Sequence, residues 1–149
     1  MVEEKIEEMK PEKETPEAKI EKKPKKERIG IAYIYASFNN TIIRITDMAG
    51  NTISKISGGM MTKHNRLKAN PTVSMFVAKK AAEEARDAGI TSVYVRMRAQ
   101  TGSPNPGPGA HSAVKSLSRE GIRVINISDT TYCPRGGPKK KGGRRGRRV

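Results

Sequence analysis

The sequence has one cysteine and no tryptophan, and aromatic residues make up only 4% of its 149 residues. With Cys133 alone, neither an intramolecular disulfide nor a zinc site made of cysteines can form. Because aromatic side chains are so few, a platform that stacks RNA bases is not expected. No apolar run reaches the roughly 18 residues of a membrane-spanning helix, and the first residues lack the apolar core of a secretion signal. These absences favour a reduced, cytoplasmic protein without a membrane partner.

Acidic residues are scarce outside the N-terminal segment. The chain has 30 Lys and Arg against 15 Asp and Glu, a formal net charge of +15. Residues 1–28 hold nine bases and nine acids, so the whole excess lies in residues 29–149, where 21 bases face six acids. An excess of this size is typical of proteins that bind nucleic acid.

Composition divides the chain into three predicted segments. Residues 1–28 alternate Glu and Lys between three prolines, and they hold too few apolar side chains to fold, so they are predicted to be disordered. Residues 29–133 are the predicted α/β domain. Residues 134–149 form a basic tail without any acid, which is typical of nucleic-acid binding, although localisation signals use similar runs. The bases of this tail are Arg135, Lys139, Lys140, Lys141, Arg144, Arg145, Arg147 and Arg148.

Hydrophobic periodicity predicts a five-stranded mixed sheet with two long helices. The first strand is apolar on both faces, which predicts a central strand that is buried on both sides. The first three strands read as an antiparallel meander, and the last two enclose a helix and must be parallel, with a right-handed crossover. The predicted strands are 29–37, 41–48, 52–57, 90–98 and 122–128, and the predicted helices are 71–88 and 110–120.

The first long helix has clear end signals. Asn70 is a good N-cap, Pro71 a good first helical residue, and Gly89 a typical stop. Apolar residues at helical spacing predict the side that faces the sheet. This stripe is predicted to contain Val73, Val77, Ala81, Ala85 and Ala88, with Phe76 beside it.

Residues 102–110 (GSPNPGPGA) connect a predicted strand to a predicted helix. Glycines beside a helix N-terminus leave backbone N–H groups and the positive end of the helix dipole accessible, which suits an extended polyanion. Gly107 or Gly109 can also supply a positive φ. A plain structural turn is the alternative. No Lys-Ser/Thr follows the glycines, which excludes a P-loop. Ser112 stands where the third glycine of G-x-G-x-x-G would be, which excludes a dinucleotide-binding loop.

Several motifs in order resemble one family across roughly residues 28–149. They are Tyr35-Ala36-Ser37-Phe38-Asn39-Asn40-Thr41, Thr46-Asp47, Gly58-Gly59-Met60, Pro106-Gly107-Pro108-Gly109-Ala110 with Ser112-Ala113, and Lys141-Gly142-Gly143-Arg144-Arg145-Gly146-Arg147-Arg148. The chain is similar to the universal S-eleven family of small ribosomal subunit proteins, in its archaeal and eukaryotic form. The resemblance implies a ribonuclease-H-like three-layer α/β/α fold and binding to small-subunit rRNA on the platform, near the mRNA exit path.

The resemblance also implies partners and contact residues. The partners would be small-subunit rRNA, neighbouring platform proteins and mRNA near the exit site, in ribosomes. The residues themselves predict no cofactor and no metal, because neither a cysteine nor a second histidine stands at ligand spacing from His64 or His111, and they predict a cytoplasmic location. The tail and three loop segments would contact RNA, and nearby polar and basic residues are added as candidates. Outside the tail, the expected RNA contacts are Phe38, Asn39, Asn40, Thr41, Gly58, Gly59, Lys63, Arg66, Arg98, Ser103, Pro106, Gly107, Pro108, Gly109, Ala110, His111, Ser112, Lys115 and Arg119.

One stretch departs from the family pattern. After Asp129 the family usually reads Val-Thr-Pro-Ile-Pro-His, whereas this chain has Thr130-Thr131-Tyr132-Cys133-Pro134. The path of residues 130–135 is therefore not implied by the resemblance.

Two other functions fit parts of the sequence. A metal-dependent nuclease on the same fold needs several carboxylates close together, and the first strand has none. Asp47 and Asp129 could ligate a metal, but both follow predicted strands, where Asp commonly caps a turn. A DNA-compacting protein would suit the basic tail and not the structured loops. The sequence therefore favours a structural RNA-binding protein that is not an enzyme.

Overall fold

The computed structural model describes residues 27–103 and 105–136. The predictions for residues 1–26 and for residues 137–149 lie outside the described residues. The two segment boundaries, after residue 28 and after residue 133, therefore stay predictions.

All predicted strands and both predicted long helices are present, with ends within two residues of the predicted ones. A short helix that the hydrophobic periodicity did not predict, α1, begins directly where β3 ends. Asn70 caps α2 as predicted, because its side chain accepts the N–H of Thr72. The elements are β1 Ile29–Ala36, β2 Thr41–Asp47, β3 Thr52–Ser57, α1 Gly58–Met61, a 3-10 turn Asn65–Leu67, α2 Pro71–Asp87, β4 Ser92–Arg98, α3 Gly109–Arg119 and β5 Arg123–Asp129.

The five strands form one open mixed sheet in the order β3-β2-β1-β4-β5. The pairs β1/β2 and β2/β3 are antiparallel, whereas β1/β4 and β4/β5 are parallel. The predicted meander, the parallel β-α-β unit and the central position of β1 are thereby confirmed.

Both long helices lie on the same face of the sheet. The connections β3-α2-β4 and β4-α3-β5 each join parallel strands and move across the sheet in the same direction, so right-handed crossovers place both helices on one side. There α2 packs on β2 and β3, α3 packs on β1 and β5, and the helices pack against each other. Residues 27–103 and 105–136 therefore form two layers, and the further layer of a three-layer fold is not among them.

The core lies between this face and small residues of the helices. On α2 the buried residues are Ser74, Val77, Ala78, Ala81, Ala82 and Ala85. Most of the predicted stripe is confirmed, but the prediction was wrong for Phe76 and Ala88. Phe76 is 55% exposed, because position 76 points about 180° away from the centre of the buried stripe. Ala88 is exposed at the C-terminal end of the helix.

The opposite side of the sheet, here called the open face, has no helix over it within the described residues. The prediction that β1 is buried on both sides is wrong, because only alternate residues of β1 are buried and Tyr33 remains 36% exposed. The two crossovers explain this, since neither helix covers the second side. The polar and aromatic side chains of the open face include Tyr33, Tyr35, Arg44, Lys55, Tyr94, Arg96 and Arg98.

Candidate nucleic-acid interface

The turn between β1 and β2 is fixed by its own hydrogen bonds. The N–H of Ser37 donates to the carbonyl of Asn40 (2.9 Å), and the N–H of Asn40 donates to the hydroxyl of Ser37 (3.0 Å). This closed turn holds Phe38 and Asn39 at its tip, where both are exposed and Phe38 keeps 55% of its surface.

The start of α3 and the loop before it pack tightly through two glycines, Gly107 against this turn and Gly109 against α2 and β2. The N–H of Gly107 donates to the carbonyl of Ala36 (3.0 Å), and a Cβ on Gly107 would overlap the carbonyl of Ser37. A Cβ on Gly109 would overlap the hydroxyl of Ser74. Both glycines are needed for close packing, and the prediction of a positive φ at one of them is wrong.

A third segment reaches the same place from β3. Gly58, the first residue of α1, is buried, and a Cβ there would overlap the carbonyl of Lys68 and lie 2.9 Å from Oδ1 of Asn40. Beneath these contacts the hydroxyl of Ser74 donates to the hydroxyl of Thr41 (3.0 Å), both fully buried, which joins α2 to β2. The turn, the α1 corner and the loop before α3 are therefore one packed unit.

Four connections meet at this end of the sheet, because β1, β3, β4 and β5 all end there. We call it the loop end, made of residues 37–40, 58–70, 99–103, 105–108 and 130–136. Both α2 and α3 also begin here, so the positive ends of their dipoles point toward it.

Charge is distributed unevenly between the two ends of the domain. The loop end contains no Asp or Glu, and its bases are Lys63, Arg66, Lys68 and Arg135. At the opposite end lie Glu27, Asp47, Asp87 and Glu120, where Arg86 pairs with Glu120 (3.8 Å) and Arg123 with Glu27 (3.7 Å). The loop end is therefore more electropositive than the opposite end of the domain.

The expected RNA contacts fall into several classes of position. At the loop end and the start of α3, the exposed ones are Phe38, Asn39, Gly59, Lys63, Arg66, Pro108, His111 and Arg135. The partly buried ones there are Asn40, Ser103, Pro106 and Ser112. The buried ones are Thr41, Gly58, Gly107, Gly109 and Ala110. The tail residues Lys139, Lys140, Lys141, Arg144, Arg145, Arg147 and Arg148 lie outside the described residues.

Three expected contacts lie elsewhere. Arg98 ends β4 on the open face. Lys115 is exposed in the middle of α3, and Arg119 stands in its last turn, about 15 Å along the helix from the loop before it. These three basic residues stay predictions as RNA contacts, but the fold does not bring Arg119 to the loop end.

The segment after Asp129 follows β4 back to the loop before α3. The N–H of Thr130 donates to the carbonyl of Met97 (2.8 Å), and the N–H of Ala99 donates to the hydroxyl of Thr131 (2.9 Å). The N–H of Gly102 then donates to the carbonyl of Tyr132 (3.3 Å). The unusual residues of this chain thus anchor the start of the tail at the loop end.

The two candidate metal ligands are turn caps, as predicted. Asp47 accepts the side-chain amide of Asn51 (3.0 Å) and its N–H (2.9 Å), which lowers the pKa of Asp47 below 3.8. Asp129 accepts the hydroxyl (2.6 Å) and the N–H (2.8 Å) of Thr131, which lowers its pKa likewise. Within residues 27–103 and 105–136, no three His, Cys, Asp or Glu residues are grouped to hold a metal ion.

A pH dependence follows from the cap at Asp129. Because its folded-state pKa lies below 3.8, its hydrogen bonds stabilise the fold fully above that pH and lose this effect as the pH falls. We expect Asp129→Ala to lower the melting temperature at neutral pH, and the difference to shrink between about pH 4 and pH 2. Thermal unfolding followed by circular dichroism measures it. A difference that is constant over this range would contradict the assignment.

Sequence reasoning did not single out most of the open face. The aromatic content averaged over the chain is low, yet three of the four tyrosines stand on this one surface. The alternation of β4 indicates this surface in the sequence, because Tyr94, Arg96 and Arg98 interleave with buried Val95 and Met97.

A basic α/β domain with an acid-free end of packed loops belongs to the class of nucleic-acid-binding proteins. Residues 30–145 match the family described as Ribosomal protein S11, so the chain belongs to that family. It is a protein of the small ribosomal subunit and takes part in translation as a component of a ribonucleoprotein. Its partners are small-subunit rRNA and ribosomal proteins, and proteins of such families are generally not enzymes. In the described part of the chain, no helix has both the length and the apolarity to cross a membrane.

Proposed function

We propose that this ribosomal protein binds small-subunit rRNA through its loop end, on the platform of the subunit and near the path by which mRNA leaves. The observation that carries the proposal is the convergence of four acid-free connections and two helix N-termini at one end of the sheet. Neighbouring platform proteins and mRNA are the other proposed partners.

The chemistry of the loop end suits the backbone of folded RNA. Helix N-termini and nearby Lys and Arg attract phosphates, while exposed Asn and His side chains can hydrogen-bond phosphate and 2′-hydroxyl oxygens. Folded RNA is read largely by shape, so a binding surface needs fixed loops. In this proposal the buried residues Gly58, Gly107 and Gly109 hold the loops in place, and the exposed residues around them touch the RNA.

A catalytic role on RNA is less well supported. A two-metal site needs carboxylates around ions that are about 4 Å apart. Asp47 pairs with Gly30 at the start of β1, whereas Asp129 pairs with Met97, which lies beside Ile34. The two carboxylates are thus about 13 Å apart along the strands alone. This separation favours a structural role over a nuclease.

Removing two loop-end charges tests the proposal. We expect Lys63→Gln with Arg66→Gln to weaken binding to a small-subunit rRNA fragment about tenfold, and to make the slope of log K against log salt shallower by about 1.5. The matched control is Lys79→Gln with Lys80→Gln, which removes the same charge from the outer side of α2. A salt titration of affinity measures both.

Equal losses in the two double variants would show that only net charge matters and would overturn the loop end as the binding site. Competition with duplex DNA separates this function from DNA compaction. The wild-type protein is expected to prefer the rRNA fragment, and an equal preference for DNA would count against the proposal.

A further inference from the structure

The open face has a regular arrangement of aromatic and cationic side chains. In strand register, Tyr33 stands between Arg44 of β2 and Arg96 of β4, and Lys55 of β3 lies beyond Arg44. Neighbouring strands are about 4.8 Å apart, so these side chains form one row across four strands. In the same register Tyr35 lies next to Arg98, and Tyr94 lies next to Ile31.

Within this row the side chains already interact as a stacking surface would. The guanidinium of Arg96 lies over the ring of Tyr33, 5.8 Å from its centroid, within the range of a cation–π contact. Beside it is a depression of about 530 Å³, lined by Tyr33, Tyr35, Arg44, Arg96 and Arg98 among others. This volume is in the range of sites that hold one small ligand or nucleotide.

The electrostatics of the face select a polyanion. Among the strand residues, all of which are described, the positions that point to this side hold five bases and no carboxylate. The fifth base, Arg123 at the start of β5, is paired with Glu27 (3.7 Å). Arg44, Lys55, Arg96 and Arg98 are all exposed. No carboxylate on the same surface of the sheet is therefore available to neutralise these four bases.

We propose that the open face is a second RNA-contact surface, which binds unpaired nucleotides by stacking bases on Tyr33, Tyr35 and Tyr94 and by holding phosphates with Arg44, Arg96 and Arg98. Interleaved aromatic and cationic side chains are what single-stranded binding requires, because every base offers a π face. A duplex would leave the tyrosines unused, since its bases are stacked inside. The inference rests on the proposed function, because it assigns another surface to the same RNA-binding protein.

The absence of tryptophan makes the test direct, because tyrosine emission then reports on four residues only. Full-length protein is titrated with a single-stranded oligouridylate and with an RNA duplex of equal length at moderate salt. We expect oligouridylate to quench tyrosine emission more than the duplex does. Tyr33→Leu and Arg44→Gln should each weaken oligouridylate binding roughly tenfold. Two variants on the outer side of α2 are matched controls, Phe76→Leu for the loss of a ring and Lys80→Gln for the loss of a charge. Each should change the affinity for oligouridylate by less than about twofold.

The outcomes separate this inference from the proposed function. Face variants that bind oligouridylate like the wild type would overturn the inference, while the loop-end result with the rRNA fragment would still stand on its own. Equal losses in face variants and controls would also overturn it. Ultraviolet crosslinking in assembled small subunits gives an independent test. Crosslinks from residues 29–36 or 92–98 to rRNA support the proposal, whereas crosslinks from these strands to a neighbouring protein alone would refute it.

Discussion

Gly109→Ala is expected to lower the free energy of unfolding by about 3 kcal/mol, and the melting temperature by about 10 °C or more. The added Cβ would overlap the hydroxyl of Ser74, which is fully buried and hydrogen-bonded to Thr41. Relief requires α3 to move away from α2 or the buried hydroxyl pair to separate. Thermal and denaturant unfolding of the purified protein measure the effect.

Gly59→Ala is the matched control, because it makes the same change at another helical glycine. A Cβ on Gly59 meets only the flexible side chain of Lys68, at 3.5 Å or more, so the stability should change by less than about 0.5 kcal/mol. If Gly109→Ala were as stable as Gly59→Ala, the loop before α3 would not be packed on α2 and β2 as described.

Removal of residues 134–149 should make the salt dependence of rRNA binding much weaker. The tail carries eight bases and no acid, and each phosphate neutralised contributes about 0.7 to 0.9 to the slope of log K against log salt. If half the bases bind phosphates, truncation after Cys133 makes the slope shallower by about 3. Over a fourfold change in salt, the full-length protein would then lose about 60-fold more affinity than the truncated one.

The truncation leaves the hydrogen bonds of Thr130, Thr131 and Tyr132 in place, so the melting temperature should stay the same. A full-length variant with the eight tail bases replaced by Gln is the control for chain length and should match the truncation. Identical slopes for the full-length and truncated proteins would show that the tail does not bind that RNA. A large drop in melting temperature would show that the tail belongs to the folded domain.

Local signals were sufficient to predict the elements of the fold. Asn70 and Gly89 marked the ends of α2, and the predicted helix 110–120 ends directly before Gly121, whose φ is 84°. The periodicities of two and of 3.6 then placed every strand and both long helices. The mixed topology followed from the short meander and the helical crossover.

The predictions that failed depend on long-range placement. The apolar pattern of β1 could not reveal that both crossovers put their helices on one side, although strand order together with handedness implies it. The sequence predicted that Gly107 or Gly109 supplies a positive φ, whereas both glycines are needed for close packing. Their closest neighbours, Ser37 and Ser74, are more than 30 residues away in sequence, and only the fold brings them together.

The separation of charge along the domain bears on how the protein first meets RNA. A protein with an excess of cations at one end, and with bases and carboxylates in equal number at the other, experiences a torque in the field of a polyanion and turns before contact. Encounters then occur mostly with the correct end leading, which raises the association rate and makes that rate fall steeply as salt screens the field. At the opposite end, Glu27, Asp47, Asp87 and Glu120 offset the neighbouring bases, two of which they pair with directly, and so keep that end from competing for the polyanion during the encounter.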